Sequence, residues 1–100
     1  MRYWLSFDLG LSGNYEGLYE WLDNKQAKEC GDSVATFTTD LSPQKIKQEL
    51  KKLTAGQTRA RFYIIFRLDG KLHGEFILGG RKRAPWSGYA VVDTSDVEEA

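Results

Sequence analysis

The stretch RFYIIFRLDGKLHGEFIL, Arg61 to Leu78, decides how this chain folds. Phe62, Ile64, Phe66 and Leu68 alternate with Arg61, Tyr63, Ile65 and Arg67, which is the period of a strand with one face buried. After Asp69-Gly70 a second run alternates Leu72, Gly74, Phe76 and Leu78 with Lys71, His73, Glu75 and Ile77. Two strands and a turn make a hairpin. A two-residue loop would set Phe66 opposite His73, mixing core with surface, because directly opposed residues share a face. A three-residue loop with Gly70 left-handed instead pairs Phe66 with Leu72 and Phe62 with Phe76, and this register is expected.

Working outward, Tyr3, Leu5, Phe7 and Leu9 alternate with Trp4, Ser6 and Asp8, another half-buried strand. Gly10-Leu11-Ser12-Gly13 breaks it, and Asn14 is placed to cap a helix whose apolar stripe is Tyr15, Leu18, Tyr19 and Leu22. Gly17 weakens that helix by about 1 kcal/mol relative to alanine. Gly31-Asp32 separates a short strand from the β-prone run Ser33 to Thr39. Ser42-Pro43 then starts a second helix with Ile46, Leu50 and Leu53 on its buried side, which Gly56 ends.

The element order is that of an α+β, ferredoxin-like split βαβ fold: two helices on one face of an antiparallel sheet, with an added C-terminal hairpin strand. Residues 1–92 are expected to form a single domain and 93–100 a flexible acidic tail, with Ala90-Val91-Val92 pairing briefly at an edge. One hundred residues suffice for one core and not for two. A longest apolar run of five residues, Phe62 to Phe66, predicts no membrane span, and a single cysteine predicts no internal disulfide. A cytoplasmic setting is the expectation that follows, with Cys30 a buried or idle thiol.

Fourteen basic and fourteen acidic side chains cancel, but they are not mixed evenly. Seven basic against two acidic residues give +5 over 59–83, and four acidic residues follow in 84–100. Such a tail is able to fold over the basic block and compete with an anionic partner; the alternative is an inert solvated end.

With the helices on the Phe62 side, the open face is expected to carry Arg61, Tyr63, Ile65 and Arg67 beside His73, Glu75 and Ile77, with Trp4, Ser6 and Asp8 from the first strand. Rings and guanidinium groups on a sheet suit single-stranded nucleic acid. Trp4, Tyr63, Ile65 and Ile77 suit a homodimer interface, and the apolar β-branched members favour that reading of the face. Gly79 to Tyr89 is the most unusual segment: Arg81, Lys82 and Arg83 can neutralise phosphates while Trp86 and Tyr89 offer stacking surfaces. The alternative is that both rings plug the end of the core. Catalytic motifs are sparse: His73 with Glu75 is a lone polar pair, and Asp8 is a turn acceptor unless a second copy brings another carboxylate near it to hold a hard metal.

The residues Phe7-Asp8-Leu9, Gly13-Asn14-Tyr15, Leu18 and Leu22, with Asp32-Ser33-Val34 and Phe62 to Phe66, resemble a group of small ferredoxin-like proteins. These are related to the smaller universal CRISPR adaptation protein and to the virulence-associated protein D endoribonucleases. The resemblance covers residues 3–67. It implies a homodimer packed through its sheets, RNA or DNA as partner, and, in active relatives, catalysis by a metal-dependent nuclease with Mg or Mn held by the aspartate that Asp8 matches. The long hairpin, the Arg81 to Arg83 segment and the acidic tail depart from that pattern. The expected function is thus a small homodimeric nucleic-acid-binding protein. The alternative is a protein–protein interaction module that uses the exposed sheet face or the Trp86 loop.

Overall fold

The alternation from Tyr3 to Leu9 becomes strand β1 (Arg2–Asp8), whose Tyr3 and Leu5 are wholly buried while Ser6 and Asp8 stay exposed, in a computed structural model that describes residues 1–90. The expected tail and the Val91-Val92 edge pairing lie outside the described residues. Helix α1 (Tyr15–Asn24) begins where the Asn14 side chain accepts a hydrogen bond from the Gly17 amide at 3.0 Å. The Asn14 amide donates to Gln57 Oε1 and its Nδ2 donates to the Leu53 carbonyl, so the same residue ties α1 to the end of the second helix.

Strands β2 (Lys28–Gly31) and β3 (Val34–Thr38) form a short hairpin around Asp32-Ser33. Cys30 is exposed on β2, contrary to a buried reading. Helix α2 (Pro43–Leu53) is capped by the Ser42 hydroxyl, which accepts from the Lys45 amide, and proline occupies its first turn without cost. It buries Ile46 and Leu50. Strands β4 (Arg61–Leu68) and β5 (Lys71–Leu78) complete a five-stranded open sheet in the order β2-β3-β1-β4-β5, with every pair antiparallel. Leu18 and Leu22 of α1 and Ile46 and Leu50 of α2 share one core with Tyr3, Leu5, Phe37, Phe62, Ile64 and Phe66, so both helices cover the same face.

The register of the last hairpin differs from the expected one. Asp69 and Gly70 alone form the loop, with φ of +53° and +77°, and Phe66 lies opposite His73, Ile64 opposite Glu75, Ile65 opposite Gly74 and Tyr63 opposite Phe76. Two left-handed residues give the loop a twist that matches the strands. The polar residues that this register turns toward the helices find partners there. His73 stacks on Phe66, with ring centroids 5.6 Å apart and planes 11° apart, and Glu75 pairs with Lys47 of α2. The register then shifts between Tyr63 and Phe62, which faces Leu78, and Ile77 falls into the core. The apolar residues of β5 are not all covered; the edge strand is held to the helix side by a stack, an ion pair and a single irregularity.

Candidate functional site

That register rebuilds the uncovered face. Residues paired across the strands share a side, so this face carries Arg2, Trp4, Ser6 and Asp8 of β1, Val34, Thr36 and Thr38 of β3, Lys28 of β2, Arg61, Tyr63, Ile65 and Arg67 of β4, and Leu72, Gly74 and Phe76 of β5. His73 and Glu75 leave it for the helix side. Ile77, expected at a dimer interface on the open face, is 8% exposed and packs in the core. Trp4, Tyr63 and Ile65 remain on the open face and are half-buried. Arg2, Lys28, Leu72 and Phe76, which the sequence reading did not single out, join them; extending the alternation of Trp4, Ser6 and Asp8 back to Arg2 would have found the first.

Four of the described residues on this face are cations, Arg2, Lys28, Arg61 and Arg67, against the single carboxylate of Asp8. The rings among them are held in place. Tyr63 lies across Gly74, with its hydroxyl 2.6 Å from where a glycine-to-alanine Cβ would stand, and it meets Phe76 edge to face at 4.9 Å. Only a residue without a side chain leaves room for that tyrosine. Arg2 donates to Thr36 Oγ1 at 3.1 Å, which fixes its guanidinium over β3. Arg61 lies opposite Asp8 across the β1–β4 ladder, and its buried Nε has no hydrogen-bond partner.

Asp8 Oδ1 accepts from the Gly10 amide at 3.0 Å, the turn role weighed against metal ligation. Among the described residues no group of three His, Cys, Asp or Glu side chains stands close enough to hold a metal. Asp8 shares a cleft with Arg59, Arg61 and Gly79, where a cation would meet two guanidinium groups.

Gly79 presses against the start of β4: its φ is +70°, and a Cβ there would lie 2.7 Å from the Ala60 carbonyl. Gly80 follows beside the Phe76 ring. The chain therefore leaves β5 at the cationic corner formed by Arg59 and Arg61, and Arg81, Lys82 and Arg83 are all exposed. The alternative in which aromatic residues plug the core does not hold, since Trp86 is 74% and Tyr89 83% exposed. A tight turn fixes their spacing, with the Ser87 amide donating to Ala84 and the Tyr89 amide to Trp86.

No family model matches the chain, and neither the curated proteins nor the solved structures searched contain a match. Among the described residues no helix is long and apolar enough to cross a membrane.

Proposed function

We propose that the protein is a small, homodimeric, single-strand-selective nucleic-acid-binding protein of ferredoxin-like topology, with β5 as the strand added to the split βαβ unit. The observation that carries this reading is the open face, where four cations share the surface with Trp4, Tyr63 and Phe76 and one carboxylate is already bonded to a backbone amide. Guanidinium and ammonium groups neutralise phosphates, whereas rings stack on bases of any sequence. Arg81 to Arg83 and the bare indole of Trp86 extend that surface beyond the sheet. A duplex keeps its bases stacked inside, which leaves these rings without a partner; hence the preference for single strands. The resemblance of residues 3–67 to nucleic-acid-acting ferredoxin-like proteins agrees in kind. Asp8 is read here as the acceptor that shapes the β1–α1 turn, so binding is proposed without cleavage.

Titration of labelled single-stranded RNA and DNA, each compared with its duplex, at two salt concentrations tests the proposal. Each phosphate contact adds about 0.7 to the slope of log affinity against log salt for single strands. Arg81→Ala with Arg83→Ala should therefore lower that slope by roughly 1.4, and Trp86→Ala should cost about 1–3 kcal/mol with the slope unchanged. Equal binding of duplex, no binding at low salt, or indifference to these substitutions would overturn it.

A further inference from the structure

We infer that the free edge of β5 is the surface through which two copies of this chain join, antiparallel about an axis at Gly74, into one continuous sheet. The inference rests on the homodimer in the proposed function; it concerns the strand edge that borders the nucleic-acid face and shares Leu72 and Phe76 with it. Among the described residues β5 is an outermost strand with no neighbour beyond it, and Lys71 to Phe76 are exposed. Such an edge presents unpaired amides and carbonyls to any second strand. The other edge, β2, is four residues long and its register is broken, so it offers less backbone to a partner.

The two-residue loop sets which groups point outward. Leu68 and Lys71 flank that loop as a hydrogen-bonded pair, and paired types alternate along an antiparallel ladder. Lys71, His73 and Glu75 therefore turn their backbone groups toward β4. Leu72, Gly74 and Phe76 turn theirs to the free edge. An isologous partner must bond outward groups to outward groups. With the axis at Gly74, Gly74 meets its own mate, Leu72 meets Phe76 of the second copy, and His73 meets Glu75 of the second copy. On one face this joins an apolar pair, 64% and 43% exposed in the single chain, beside Tyr63. On the other it joins an imidazole to a carboxylate that Lys47 already approaches. Moving the axis to His73 sets Leu72 against Gly74 and leaves Phe76 opposite the loop, which loses the apolar pair. The strand is thus complementary to itself in backbone, in its apolar pair and in a hydrogen-bonding pair of side chains. A face-to-face dimer would bury the cations of the open face; the edge dimer leaves them free.

Sedimentation of the full chain without nucleic acid, combined with amide exchange across a concentration series, tests the inference. A dimer should form in which the Leu72, Gly74 and Phe76 amides gain protection as concentration rises, while those of Lys71, His73 and Glu75 are protected throughout. Leu72→Lys, which places a charge on the edge, and Leu72→Pro, which removes an outward amide and none from the β4 ladder, should each weaken dimerisation at least tenfold. Circular dichroism should stay unchanged. A monomer at every concentration, alternating amides that never gain protection, or a dimer lost in Trp4→Lys but kept in both Leu72 variants would overturn it. Because no nucleic acid is present, a negative result here leaves the binding titration standing on its own.

Discussion

Gly17 shows how one residue can oppose its local propensity for a reason found only in three dimensions. Glycine in a helix costs about 1 kcal/mol relative to alanine, so propensity alone predicts that Gly17→Ala stabilises the protein. A Cβ at that position would lie 2.4 Å from Asn14 Nδ2, the side chain that caps α1 and also donates to the Leu53 carbonyl. Displacing a cap costs about 1 kcal/mol before the link to α2 is counted. Urea denaturation of Gly17→Ala should therefore show no gain, and a net loss on the order of 0.5–1 kcal/mol. A stabilised variant would show that the cap can shift freely. The Asn14 cap was legible from the loop residues ahead of an apolar stripe. Its second partner, 39 residues away, was not, because only tertiary packing brings Leu53 there.

At the scale of elements, β5 was the difficult one. Its alternation is as clean as that of β1, yet it is buried on neither side along most of its length. The sequence distinguishes the two sides of a strand but not which side is covered, and a single-residue change in loop length exchanges them. The discriminating residue is Asp69. In a two-residue loop it is left-handed, φ +53°, whereas in a three-residue loop of the expected kind it would sit in the ordinary right-handed region. Asp69→Ala should thus cost about 1 kcal/mol in thermal or urea unfolding, since left-handed backbone penalises a Cβ without a local hydrogen bond. Asp69→Asn should be neutral or slightly stabilising. Indifference to alanine would favour the longer loop. Both helices, by contrast, were legible from their caps and most of their stripes, except that Tyr19 of the α1 stripe is 56% exposed and Trp21, which stands off it, packs edge to face on Phe37 at 5.3 Å.

For the whole molecule, the link between the helices also contributes to the response to acid. Trp21 Nε1 donates to Glu49 Oε1 at 2.9 Å, and Lys25 reaches the same oxygen while lying 3.9 Å over the indole ring. Burial alone would raise the Glu49 carboxyl, but the bond from Trp21, the charge and bond of Lys25, and the charge of Lys45 outweigh it and hold the group below its ordinary value of 4.5. A carboxyl lowered in the folded state favours folding above its unfolded value, and that contribution is lost as pH falls through the folded one. Glu49→Gln should flatten the acid limb of a stability–pH curve below about pH 5. An unchanged limb would place the acid response elsewhere.

The three tryptophans divide the molecule optically as well as structurally. Trp4 is half-buried on the open face, Trp21 is bonded into the join between the helices, and Trp86 stands in water. A polar quencher such as iodide reaches the last far more readily than the second. Light emitted at long wavelength and lost to iodide therefore comes chiefly from the loop, while the emission that iodide spares comes chiefly from Trp21, so the loop and the packing of the helices can be followed in one cuvette without a label.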